Sequence, residues 1–311
     1  YKHMKKINLS RINVLLCDPD HAYRSSIYGM LRGIEIENIS QVANLTEVQQ
    51  KMAISMPDLL ITESNIPNGD VCKFIHRLRH NNEDADPFLP IITLTAEPTP
   101  EIVRAIVNSG SDDLLTKPMS AAQLSERIIG IIQARKPFVV TSDYIGPTRR
   151  KSSDRESNVP LIDVPNNLQD KATGVSSGKN YQQAVDDMVN EINLQKLDRY
   201  AFQIGYLTER IVPALRVNEV TDEIRDHVKR MGYVASDAMR RLGGTKYDHV
   251  SNLCQALIKV TTDIHRDLEN TSEKNISLLE QVSAAIQIGF ESGTAQTAQK
   301  IVDSLGGSDN A

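Results

Sequence analysis

Three things are scarce in this chain: cysteine, surplus positive charge and long apolar runs. Cys17, Cys72 and Cys254 are the only thiols in 311 residues, and they lie far apart without a Cys-x-x-Cys or histidine-paired grouping. That spacing excludes a disulfide framework and a cysteine-ligated zinc site, and points to reduced thiols in a cytoplasmic protein. Lys and Arg number 35 against 40 Asp and Glu, a net charge of −5, so no basic footprint points to nucleic acid. No apolar stretch is long enough to span a bilayer, and no secretory apolar core is present, so neither membrane insertion nor export is expected. A helix-turn-helix pattern, a glycine-rich nucleotide loop and a metal-ligand cluster are also missing. Met4 reads as the natural first residue.

What is present divides the chain, whose length suggests two domains. The first half turns on Pro57 to Pro67, PDLLITESNIP. It reads as a helix end, a short buried strand, an acid at the strand's carboxyl tip, and a loop closed by proline. Acids at such tips sit in the crevice where ligands bind in open α/β sheets. Around it, Ile12–Cys17, Ile34–Val42, Pro90–Thr95 and Leu114–Thr116 read as further strands, the buried ones as continuous apolar runs. Helical patterns lie between them: from Asp20 to Leu31 with Gly33 as a stop, over Leu45–Met56 and Val71–Leu78, from Pro100 to Gly110, and over Met119–Ala134. Five strands alternating with five helices argue for a doubly wound parallel sheet.

The motifs in residues 11–135 are an acid after the first strand (Asp18), an acid-x-x-Ile-Pro loop (Glu63 to Pro67), Leu-Thr-Ala at 94–96, and Gly-Ser-Asp-Asp-Leu-Leu-Thr-Lys-Pro at 110–118. Together they resemble the CheY-like receiver domain of bacterial response regulators, in which an aspartate at the third strand tip accepts a phosphoryl group from a histidine kinase. The resemblance implies the flavodoxin-like strand order 2-1-3-4-5. It makes Asp18 the first acid of a magnesium pair and Thr95 the hydroxyl that contacts the phosphoryl group. Lys117 becomes the lysine that pairs with the acceptor, and Pro118 the proline joined to it through a cis bond.

Three positions depart from the family pattern. Pro19 stands where a second acid is expected, with Asp20 one residue later at a helix start. Glu63 replaces the acceptor aspartate. Leu114 replaces the aromatic switch residue. Magnesium demands near-octahedral geometry, so Asp18 and Glu63 offer at most a weak site. A carboxylate nucleophile fails when misplaced by about an ångström, which can cost ~10²-fold. Glu63 is therefore not expected to accept phosphate usefully. Its longer arm should reach toward Thr95 and Lys117, where a carboxylate–ammonium hydrogen bond is charge-assisted. Two readings stay open: Glu63 fixes an active-like shape, or the pocket is inert.

Residues 136–180 read as an extension followed by a flexible linker. Lys136–Arg150, KPFVVTSDYIGPTRR, resembles an extension found after the last receiver helix in some bacterial receiver proteins. Phe138–Thr141 has strand propensity and Gly146-Pro147 is a turn signal, while Arg149 and Arg150 could meet an acidic partner. Residues 151–180 are polar, with one apolar island at Val159–Val164.

Residues 181–305 read as an all-α bundle. Ile224, Val228, Met231, Ala235, Ala238 and Leu242 form one seam of about 3.5-residue period. Tyr247, Val250, Cys254, Leu257, Thr261, Ile264 and Leu268 form another. Gly243-Gly244 between them predicts an antiparallel hairpin over 221–270. Flanking helices are expected at Tyr181–Asn193, Leu194–Ile211 and Ile276–Phe290, with Pro213 as a break. His227, His249 and His265 read as ordinary surface histidines, and Asp248/Asn252 as a weak phosphatase-like pair. The expected function is that of an atypical, non-enzymatic response regulator acting by protein–protein contact in bacterial signal transduction. It would form a homodimer through Leu257 and Ile264, with no cofactor beyond weak magnesium. The alternative is a phosphorylation-dependent regulator whose helical half is a phosphatase or phosphotransfer output.

Overall fold

The computed structural model describes residues 7–149, 160–174 and 181–292; Met4 and Arg150 lie outside them. The chain divides into two compact units, with the boundary between Val189 and Asn190.

The first unit alternates strand and helix: β1 (Asn13–Cys17), α1 (His21–Gly33), β2 (Asn38–Val42), α2 (Leu45–Ile54), β3 (Leu59–Glu63), α3 (Val71–Arg79), β4 (Ile91–Thr95), α4 (Pro100–Ser109), β5 (Asp113–Thr116) and α5 (Ala121–Ala134). The strands form one parallel sheet in the order β2-β1-β3-β4-β5. Successive side chains point to opposite faces, which sorts the core into two layers. Val14, Leu16, Leu59, Ile61, Ile92 and Leu94 pack with Ile27, Leu31, Leu124 and Ile128. Leu15, Cys17, Leu60 and Ile91 pack with Val48, Met52, Phe74 and Ile75. Every residue of β3 and β4 is buried, the polar Thr62, Glu63, Thr93 and Thr95 included.

Local chemistry sets the helix ends. Asp20, Asn44, Asp70, Thr99 and Ser120 cap the five helices with side-chain oxygens that accept from first-turn N–H groups. Gly110 ends α4 in the left-handed region at φ 96°. One expectation shifts: the strand from Ile34 begins only at Asn38. Helix α1 ends at Gly33 as expected, and a left-handed turn at Glu35, φ 69°, separates it from the strand.

The expected flexible linker is corrected over residues 160–174. Strands β6 (Phe138–Val140), β7 (Ile145–Pro147) and β8 (Leu161–Ile162) form a small antiparallel sheet. Helix α6 (Asn167–Thr173) buries Leu168 and Ala172 in the core beside α1 and α5. Composition hides this because polar side chains do the anchoring. Asn166 and Gln169 donate to the Ile131 and Ile132 carbonyls, and Asn167 and Lys171 meet the buried Asp58. Arg79 and Arg135 share the Asp112 carboxylate, with the Phe138 ring against both guanidinium groups. Tyr181, at the start of α7 (Tyr181–Arg216), donates to Asp86 at 2.7 Å.

The second unit holds most of α7 with α8 (Asp222–Leu242), α9 (Ser251–Arg266) and α10 (Glu273–Ser292). Helices α8 and α9 are antiparallel. Gly232 lies against Thr261, and Arg225, earlier on α8, reaches Glu269 beyond the far end of α9 at 3.6 Å. Gly244, at φ 74°, makes the reversal. Both predicted seams are buried, as are Ile276, Leu279, Val282, Ile286 and Phe290 of α10. The predicted division at Asn193 and Pro213 is corrected: α7 is one helix of 36 residues with Pro213 inside it. Proline forfeits one backbone bond, but here only in the last turn, where Ile211, Val212 and Leu215 are buried on both sides of it.

Candidate functional site

The site lies at the carboxyl ends of β1, β3 and β5, where each strand hands over to a loop. Asp18 follows β1 and is fully buried. Its Oδ1 accepts from the Asp20 amide at 2.9 Å and its Oδ2 from Lys117 Nζ at 2.5 Å, while its carbonyl accepts from Arg24. Glu63 closes β3 and is 6% exposed. Its Oε1 accepts from the Ser64 amide and hydroxyl, both at 2.8 Å, and from the Asn65 amide at 3.3 Å. Its Oε2 faces Lys117 Nζ at 2.6 Å. One ammonium thus stands between two carboxylates. Burial alone would lower the lysine pKa, but the hydrogen bond to Asp18 and the facing Glu63 and Asp18 charges outweigh it and hold Lys117 above its ordinary value. The Tyr23 ring lies over the same nitrogen, 4.6 Å from centroid to Nζ.

The structure brings together three of the predicted residues, Asp18, Glu63 and Lys117. Thr95 is buried beside them at the tip of β4, and its Oγ1 accepts from the Glu97 amide at 3.2 Å. Lys117 is joined to Pro118 by a cis peptide bond, and the Lys117 amide donates to the Thr95 carbonyl. Asp20 does not join the cluster by contact. It is exposed, and its Oδ1 caps α1 by accepting from Ala22 and Tyr23. These backbone donors, the Tyr23 amide foremost, hold its carboxyl below the usual value. Leu114 is half-buried on β5, paired in register with Thr93.

Arg149 is exposed and directs one guanidinium nitrogen to the Val107 and Ser111 carbonyls, beside the end of α4. One interaction assignment is corrected. Leu257 and Ile264 are 0% and 1% exposed inside the chain's own helical core, so they have no face to offer a second copy. Asp248 lies in a 3-10 turn before α9 and Asn252 in its first turn, both exposed. The pair is not carried on one regular helix.

Sequence reasoning missed two features. Tyr23 carries no motif; only its place one turn beyond the Asp20 cap could have suggested it. In the helical unit a buried polar cluster joins α7 to α8. Tyr200 donates to Asp237 Oδ2 at 2.5 Å, Arg241 Nε reaches the same oxygen at 2.8 Å, and Lys196 Nζ approaches the Tyr200 hydroxyl at 3.2 Å. Lys196 and Tyr200 are fully buried and Arg241 is 2% exposed. The i, i+4 spacings 196/200 and 237/241 were visible, but such pairs are common on solvated faces.

The family resemblance implies magnesium, and the residues present do not fit it. A magnesium ion is held by carboxylates together with waters at short distances. Here the facing oxygens of Asp18 and Glu63 are already met by an ammonium, Pro19 has no side-chain ligand atom, and Asp20 points its Oδ1 at the first turn of α1. Among the described residues no group of three or more His, Cys, Asp or Glu side chains could hold a metal ion.

Residues 14–129 match the family described as the response regulator receiver domain. The sensor histidine kinase TmoS of Ectopseudomonas mendocina is 30% identical over 113 residues, 36% of this chain and 10% of TmoS. The transcriptional regulatory protein KdpE of Staphylococcus aureus is 24% identical over 115 residues, 37% of this chain and 47% of KdpE. The chain thus spans about half the length of KdpE and a tenth of TmoS. Among solved structures, the chemotaxis response regulator CheY4 of Vibrio cholerae aligns over 39% of this chain and 98% of its own, at 22% identity and a TM-score of 0.35. No helix among the described residues is long and apolar enough to cross a membrane. The β2-β1-β3-β4-β5 parallel sheet, the acid and lysine at its strand tips and the family match agree: residues 14–129 are a response regulator receiver domain, followed by a helical region.

Proposed function

We propose that this chain is an atypical response regulator that signals by protein contact rather than by phosphorylation at Glu63. The observation that carries the reading is the Asp18–Lys117–Glu63 ion cluster. Attack on a phosphodonor needs a free carboxylate oxygen close to the phosphorus. Here Oε1 of Glu63 is tied to two backbone amides and a hydroxyl, and Oε2 to the lysine ammonium. The same contacts tie the tips of β1, β3 and β5 to one another, which supports a fixed shape over a switched one. The receiver then serves as a constant platform, and its output runs through the helical region to other signalling proteins in a cytoplasmic, bacterial setting.

The test is direct. Full-length protein is incubated with acetyl phosphate, or with beryllium fluoride, and magnesium, and its intact mass and pocket chemical shifts are recorded. No adduct is expected; a stoichiometric phosphoryl or fluoroberyllate adduct at Glu63 sinks the proposal. A homodimer stays part of the reading, but with a different surface, since Leu257 and Ile264 are internal. Light scattering at micromolar concentration decides it, and a monomer mass removes it.

A further inference from the structure

We propose that the Lys117 ammonium is the resident cation of this pocket, standing where a receiver would hold a divalent ion, and that removing it uncovers a divalent-cation site between Asp18 and Glu63. This goes beyond the signalling reading and does not depend on it, because it concerns what occupies the pocket rather than what the chain contacts.

Two ionised carboxylates aimed at one point repel each other unless a positive charge lies between them. In this pocket that charge is Nζ, 2.5 Å from Asp18 Oδ2 and 2.6 Å from Glu63 Oε2. The two oxygens come from different strands, β1 and β3, which the sheet holds side by side through the pairing of Cys17 with Thr62. The extra methylene of Glu63 carries its carboxylate out to the lysine, while Oε1 stays anchored to the loop amides. The Tyr23 ring also lies over the nitrogen, 4.6 Å from its centroid, on the helix that Asp20 caps. Pro19 puts no side-chain ligand atom at the loop position between Asp18 and Asp20. An incoming divalent ion would have to displace an ammonium already paired twice and shielded once. With the ammonium removed, the same two oxygens converge unpaired at a site 0% and 6% exposed at its acids, where a small hard cation satisfies them.

The experiment follows manganese binding to the full chain by the loss of free-ion electron paramagnetic resonance signal, with thermal unfolding in magnesium chloride against a sodium chloride control of matched ionic strength. The native chain is expected to show no saturable site and no magnesium-dependent rise in midpoint. Lys117→Met is expected to bind manganese at least about tenfold more tightly than the native chain, and Lys117→Met combined with Glu63→Gln is expected to lose that gain. A saturable native site abolished by Asp18→Asn overturns the proposal. So does a folded Lys117→Met variant with no gain. If Lys117→Met folds only with manganese present, the proposal is supported; if it folds in neither buffer, the native titration decides. Native metal binding without phosphoryl transfer would refute this inference and leave the signalling reading intact. A Glu63 adduct formed without metal would do the reverse.

Discussion

The strand-tip pocket and the polar cluster of the helical unit both bury a lysine and an aspartate beside a tyrosine, yet they are built from different parts. In the pocket, loop amides share the load: the Asp20, Ser64 and Asn65 N–H groups all donate to the acids. Tyr23 offers only its face and is 39% exposed. In the helical unit the surrounding backbone is committed to helix bonds, so side chains must satisfy one another. Tyr200 offers its hydroxyl to Asp237, and Arg241 reaches both Asp237 and Asn193. A pocket at strand tips borders solvent and can exchange partners. A cluster inside a helix pair can only hold those helices in one register, because a slip would strand every charge. The first arrangement suits a site, the second a specifier of structure.

The largest expected break in this comparison is Asp237→Ala. It leaves Arg241 buried without its carboxylate, a class of change that costs about 3–5 kcal/mol. Urea unfolding followed by circular dichroism should show the helical unit melting early; a loss below about 1 kcal/mol would place the cluster among weak surface pairs. Lys117→Met should cost less, about 1–3 kcal/mol, because the acids keep their amide donors. Its effect should fall on the receiver transition alone.

Acid titration sharpens the contrast. Burial would raise the Asp237 carboxyl, but the Arg241 charge and hydrogen bonds from Arg241, Tyr200 and Arg240 outweigh it and hold the folded value well below the ordinary one. A lowered folded pKa means a contribution fully present above the unfolded aspartate value of about 3.9 and lost as pH falls through the folded value. Stability of the helical unit should therefore drop steeply below about pH 4, and Asp237→Ala should flatten that slope. An unchanged slope would assign the acid sensitivity to other carboxylates.

The smallest effect is a reporter. Cys17 in the receiver and Cys254 in the helical unit are both 0% exposed, and burial pushes each thiol up to about 12. Half-buried Cys72, pushed up to about 11, should alkylate first. In Asp237→Ala the Cys254 rate should rise while Cys17 stays slow, and in Lys117→Met the reverse. Mass spectrometry of labelled peptides reads both, and equal acceleration of the two thiols would show that the units do not open separately.

The receiver half was legible because its signals are local and redundant. Apolar runs marked β1, β3 and β4; Pro100 and Gly110 marked the ends of α4; and the strand-tip motifs sit within a few residues of those strands. The hairpin of α8 and α9 was legible for the same reason, since its seams repeat over several turns and a glycine pair separates them. The 160–174 segment was not, because Asn166, Asn167, Gln169 and Lys171 have partners more than thirty residues away, at Ile131, Asp58 and Ile132. Pro213 misled because a proline's cost depends on where in a helix it falls and on what its neighbours bury.

Sequence alone determined the strand and helix periods, the parallel α/β architecture, the helical second half, and the identities of the acid and lysine at the strand tips. These follow from covalent chemistry and short-range spacing, which a linear string records. Only the tertiary structure decided what those residues do to one another. It placed a single ammonium between Asp18 and Glu63, laid Tyr23 over it, turned Asp20 and Arg149 to helix ends and buried Leu257 and Ile264 in the chain's own core. Each of these depends on the direction in which a side chain leaves its element and on what a distant segment brings to meet it. Residue spacing along the chain does not encode that convergence in space.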